Sequence, residues 1–134
     1  MLRRLVPVFL AALVLSGCGQ GSPSDTGDFS GEEGAVAEVV GELGDSATRG
    51  EGAAVCDDLL SERLQEEVAD ETSCVSEVEK AFEDADGFIV EVREVTVEGE
   101  EATAEVRSEQ VPEDVTRTFS FVKENDDWRI DSFG

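Results

Sequence analysis

The apolar pattern changes period near residue 88, and this change constrains the fold more than any other feature of the chain. Before it, apolar residues recur three and four apart. Val36, Val39, Val40 and Leu43 make one such stripe, which predicts a helix. After it, apolar and polar residues alternate. Ala102, Ala104 and Val106 alternate with Thr103, Glu105 and Arg107, which predicts a half-buried strand. Helices first and strands afterwards, with short turns between the strands, define an α+β chain in which N-terminal helices pack on a four-stranded antiparallel meander.

The element boundaries follow from local chemistry. Ser30-Gly31-Glu32-Glu33 has the spacing of a capping box, with Ser30 as N-cap and Glu33 reaching back. Gly50 and Gly52 interrupt the first helix. A second helix holds Ala53, Ala54, Val55, Cys56, Leu59 and Leu60, and Ser61 caps a short turn bearing Leu64 and Val68. Thr72 or Ser73 starts another helix with Cys74, Val75, Val78, Ala81 and Phe82 on its inner side, ended by Asp84-Ala85-Asp86-Gly87. The first strand run, Phe88 to Glu98, changes phase between Val92 and Val95, which predicts a bulge near Arg93-Glu94. Val115, Phe119 and Phe121 line a third strand, and Trp128 to Phe133 form a fourth. Pro112-Glu113-Asp114 and Glu124-Asn125-Asp126-Asp127 are the turns before them.

The first eighteen residues carry a different signal. Met1-Leu2-Arg3-Arg4 is a short positive segment, and Leu5 to Leu15 is an apolar run broken only by Pro7. Such a run is too short to cross a hydrocarbon layer of about 30 Å comfortably, but it suits an export signal. Leu15-Ser16-Gly17-Cys18 then resembles the lipobox of bacterial lipoproteins. The resemblance implies cleavage before Cys18, diacylglycerol on its thiol, and anchorage on the outer face of the bacterial cell membrane. The expected organisation is a signal peptide over 1–17, a Gly/Ser/Pro/Asp-rich tether over 18–29 and a domain over 30–134. A coil of this length reaches roughly 17–20 Å on average.

The 134-residue chain carries 33 acidic and 10 basic side chains and no His, a formal charge of −23. Starting at Cys18 removes Arg3 and Arg4 and none of the acids, so the charge falls by two, to −25. A chain so acidic repels polyanions, which excludes DNA and RNA as partners. With 40% apolar residues it still has the material for a core.

Cys18 is the odd one of three cysteines. If lipid occupies it, Cys56 and Cys74 remain as an even pair in an exported chain, which predicts one disulfide. Closing a loop of about 18 residues stabilises a fold by roughly 3 kcal/mol in the chain-entropy reading. A redox role suits the pair poorly. The two are not spaced Cys-x-x-Cys, and Asp57 and Asp58 beside Cys56 disfavour a thiolate.

The layout resembles the nuclear transport factor 2-like superfamily, the cone-like α+β roll shared with ketosteroid isomerase. The residues that carry the likeness are the long first helix, the Gly44-Asp45 step, the segment from Ala54 to Ser61, the second cysteine Cys74, and the closing Trp128-Arg129-Ile130-Asp131-Ser132 strand. This chain is shorter and shows no strand between its helices. The resemblance implies a cavity between helices and sheet, for which Phe119, Phe121, Trp128 and Ile130 are the candidate walls.

Catalysis is poorly provided for. Without His there is no nucleophile–His pair, and without Tyr the phenolic donor of ketosteroid isomerase has no counterpart. Asp131 is a lone candidate base, placed by alternation on the face opposite Trp128 and Ile130, with Arg129 and Phe133. No catalytic residue, cofactor or metal is assigned. Asp84-x-Asp86-Gly87 matches the middle of a calcium loop, but Phe82 and Arg93 stand where ligands belong. The expectation is a membrane-tethered, non-enzymatic binding or interaction domain, its partner an unidentified protein or small apolar ligand, with a dimer also open. The alternative is a small-molecule carrier or vestigial isomerase using a carboxylate in a cone.

Overall fold

A computed structural model describes residues 29–84, 89–109 and 114–134. The expected export signal, Cys18, nearly all of the expected tether, Phe88 and most of the Pro112 turn lie outside them. Phe29, assigned to the tether by composition, packs against the core.

The first helix, α1 (Gly31–Arg49), buries Val36, Ala37, Val40 and Leu43 on one face. Its beginning differs from expectation. Ser30 is the N-cap, but its side chain makes no capping bond. The first-turn carboxylate that matters is Glu32, which reaches across to the sheet. At the other end Gly50 has φ +69° and its N–H donates to Ala47, while Glu51 N–H donates to Ser46. This left-handed ending satisfies the last carbonyls, and glycine adopts it without steric cost.

A short turn of helix, α2 (Gly52–Ala54), runs into a π-helical turn over Val55–Leu59. Leu60 N–H donates to the Val55 carbonyl five residues back, at 3.1 Å. The wider turn puts Val55, Cys56, Leu59 and Leu60 all in the core. Ser61 then caps α3 (Glu62–Val68), its Oγ accepting from Leu64 N–H at 3.1 Å. Ser73 Oγ accepts from Ser76 N–H at the start of α4 (Cys74–Asp84).

The four strands, β1 (Ile89–Glu98), β2 (Glu101–Glu109), β3 (Val115–Glu124) and β4 (Asp127–Ser132), form one antiparallel sheet in the order β1-β2-β3-β4. The expected meander is therefore present, with helices packed on one of its faces. The β1–β2 register shifts between Val92 and Glu94, leaving Arg93 as the extra residue of the anticipated bulge. This lets Val90, Val92 and Val95 all point inward. Asn125 and Asp126 both have positive φ, 51° and 67°, the two-residue geometry that matches the twist of a β3–β4 hairpin.

A second bulge is not apparent in the alternation. Ser120 pairs with Ser132 and Phe121 with Ile130, so Asp131 is an extra residue in β4. The sequence places Phe133 on the Asp131 face. The bulge resets the phase and returns Phe133 to the core side, edge-to-face with Phe119 at 5.2 Å.

Candidate functional site

The sulfurs of Cys56 and Cys74 are bonded, with their Cα atoms 6.1 Å apart. The bridge joins the π-helical turn to the first residue of α4. It positions α4 against the rest of the helical layer, and α4 is one wall of the apolar cavity.

The four candidate wall residues separate. Phe121, Trp128 and Ile130 are 1%, 5% and 0% exposed and belong to the packed core. Phe119 alone of the four lines the apolar cavity. That cavity has a volume of about 370 Å³. Val78, Ala81 and Phe82 of α4 form one side and Phe119 and Phe133 the opposite one. Leu43, Val55 and Val68 close the remainder, and Glu77 and Arg117 bring charge to its lining. Phe133 belongs to it because of the second bulge. Sequence alternation carries no signal for this, since a bulge of one residue inverts every position after it.

Asp131, the candidate base, is not in this cavity. Its Oδ1 accepts from Ser61 Oγ at 2.7 Å and from Arg63 Nε at 3.1 Å. Partial burial pushes its pKa up, but the Ser61 and Arg63 hydrogen bonds outweigh that and hold it below the usual Asp value. A carboxylate stabilised in its ionised form and engaged by two donors is a poor proton acceptor. Its contacts instead pin α3 to the end of β4.

Of two further hollows one has a mixed lining and the other a polar one. One, about 420 Å³, is an open groove lined by Thr96, Thr103, Ser120 and Val122 with Glu98 and Asp131, and Ala102 and the candidate wall residue Phe121 also border it. The other, about 240 Å³, lies among Glu42, Arg49, Glu51 and Asp58. Burial, then the neighbouring Glu38, Asp58 and Asp45 carboxylates, raise the Glu42 pKa. Although the open groove is the larger, its lining has little to hold an organic molecule out of water. The smaller apolar cavity is within the range of small-molecule sites and has mostly hydrocarbon walls. Among the described residues no cluster of His, Cys, Asp and Glu is suited to holding a metal ion.

Helices on one face of a curled four-stranded meander, with an apolar hollow between them, define the nuclear transport factor 2-like class of fold. Among solved structures, the chain is similar to a nuclear transport factor 2-like protein of unknown function from Silicibacter pomeroyi. The two are 18% identical over 72% of this chain and 87% of that one, with a TM-score of 0.52. A de novo designed protein of the same fold aligns over 79% of this chain and 87% of its own, at 21% identity and a TM-score of 0.49. At such identity the likeness is one of fold. No protein-family model matches the sequence, and no curated protein matches it.

Proposed function

We propose that the protein is an exported binding domain, held to the outer face of a bacterial membrane by lipid on Cys18, that takes a small apolar molecule without transforming it. The observation that carries the binding reading is the cavity of about 370 Å³ walled by α4, Phe119 and Phe133. Aromatic and aliphatic walls offer water few hydrogen bonds. A hydrocarbon body that fills the space removes its own apolar surface and that of the walls from water, which favours binding.

The chemistry around the cavity supports binding over turnover. Its carboxylate, Glu77, already accepts from Thr72 Oγ1 at 2.8 Å. Asp131 is engaged elsewhere. No imidazole or phenol is present in the chain to complete an acid–base pair.

Lipid-anchored protein purified from its own cell and examined by native mass spectrometry tests both halves. The expected result is a mass starting at Cys18 plus its acyl groups, with a small molecule that leaves on mild activation. A Cys18→Ser variant is expected to lose the acyl mass and the membrane fraction; persistence of either would overturn the anchor. If the native protein carries no molecule, and no apolar probe binds it in a way that Ala81→Trp blocks, the binding reading is overturned.

A further inference from the structure

We infer that the apolar cavity takes molecules with a single anionic head, and that Arg117 receives that head. The inference rests on reading the cavity as a binding site and adds the class of ligand.

The other arginines of the described residues are engaged. Arg49 pairs with Glu51, Arg63 with Asp131 and Glu67, Arg93 with Glu91, and Arg107 with Glu91 and Asp114. Arg129 donates to the Asp57 carbonyl at 2.6 Å. Among the described residues Arg117 is the arginine with neither an ion pair nor a hydrogen bond from its guanidinium. In a chain with 33 acidic side chains, an arginine left without a carboxylate is unexpected from composition alone. It stands on the sheet side of the hollow whose walls are mostly hydrocarbon.

The other charge at the cavity does not compete for the ligand's head. Glu77 stands on the α4 side, makes no ion pair with Arg117, and is held by Thr72. The cation is thus the unengaged group. A guanidinium presents paired N–H donors that match a carboxylate or phosphate in plane, which makes it suited to an anionic head and unsuited to an amine.

The acidic surface argues the other way, since its field favours cations. Its reach decides the matter. At physiological salt the screening length is about 8 Å, so exposed carboxylates further from the head than this contribute little. A head in contact with Arg117 is governed by Arg117, opposed by Glu77, the carboxylate that lines the same hollow from α4. The acidic surface slows approach of the anion more than it weakens the bound state.

The class is therefore a compact amphiphile: a short aliphatic or aromatic body among Phe119, Phe133, Val78 and Phe82, with a carboxylate or phosphate at the mouth. Three eight-carbon probes separate the possibilities: octanoate, octanol and octylammonium. Each is titrated calorimetrically into the full exported protein in lipid nanodiscs at physiological salt, with empty discs as blank. Octanoate is expected to bind about fivefold more tightly than octanol, the size of a partly exposed charge-assisted contact. Arg117→Gln is expected to abolish that preference by weakening octanoate binding, and Arg117→Lys to retain part of it. Equal binding of octanoate and octanol, or tightest binding of octylammonium, overturns the head-group inference and leaves the cavity reading standing. Failure of all three probes to bind, or binding that Ala81→Trp does not block, overturns the cavity reading and this inference with it.

Discussion

Glu32, in the first turn of α1, accepts a hydrogen bond from the indole Nε1 of Trp128 at 2.6 Å. The same carboxylate receives Lys123 Nζ at 3.0 Å, and that ammonium stands 5.4 Å from the Trp128 ring centre. The beginning of α1 is thereby fastened to the β3–β4 hairpin. The Lys123 hydrogen bond foremost, then that of Trp128, holds the Glu32 pKa below its ordinary value of 4.5. A carboxyl depressed in the folded state contributes stability above its unfolded pKa and loses it as pH falls through the folded one. Asp131 has the same sign. Thermal stability is therefore expected to decline as pH drops below about 4.5, the ordinary carboxylate range. Glu32→Gln should lower Tm at pH 7 and flatten part of the acid limb. Unfolding followed by Trp128 fluorescence across pH 3–7 checks both; an unchanged acid limb in the variant would show that the carboxylate contributes nothing.

Glu42 has the opposite sign. Its pKa is raised, first by burial and then by the carboxylates of Glu38, Asp58 and Asp45. Ionised at neutral pH, it works against the fold, and stability is regained as pH falls through the raised value. Glu38 and Glu42 also stand four apart on α1, where like charges cost about 0.2–0.5 kcal/mol. Glu42→Gln is expected to raise stability by about that much at pH 7, with the gain vanishing by pH 4. Urea titrations at the two pH values measure the difference.

The Cys56–Cys74 bridge closes a separation of 18 residues and holds α4 to the π-helical turn. Its reduction is expected to cost about 3 kcal/mol, which for a domain near 100 residues lowers Tm by roughly 12–24 °C. The cavity shares α4 as a wall, so probe binding should fall with the bridge even where the reduced domain stays folded. Calorimetry with and without a phosphine reductant, followed by octanoate titration of the reduced form, tests both points.

The residues explain which parts of this fold are legible in the sequence. The meander, the Arg93 bulge and the Ser61 cap are written in local patterns: alternation, a phase change within one strand, a hydroxyl before a helix. What escapes depends on partners distant in sequence. Glu32 replaces the expected Ser30–Glu33 box because Trp128 and Lys123, more than ninety residues on, offer it two donors. At the bulge, the Asp131 carboxylate is held by Ser61 and Arg63, about seventy residues earlier in the chain. Phe121, Trp128 and Ile130, the expected cavity walls, are covered for a similarly distant reason. Period-two reasoning identifies the inward face but not which inward residues the helices cover. Here Phe121, Trp128 and Ile130 are packed over, while Phe119 and Phe133 line the hollow together with Leu43 of α1.

Gly52 marks the closest approach within the helical layer. A Cβ added there would lie 2.6 Å from Glu79 Cγ and 3.1 Å from the Val75 carbonyl oxygen. The Glu79 side chain, exposed and flexible, can move aside, but the Val75 oxygen belongs to the α4 backbone. Gly52→Ala is therefore expected to push α4 outward and cost about 1–3 kcal/mol, in the range of overpacked interiors. Because α4 is one wall of the cavity, the same substitution should change probe affinity as well as stability. Gly99, at φ +64° with nothing within 4 Å of an added Cβ, provides the contrast. Gly99→Ala meets backbone strain alone and is expected to lower stability while leaving affinity unchanged. Equal effects of the two substitutions on octanoate binding would separate α4 position from the cavity, and would argue that the hollow is set by the sheet alone.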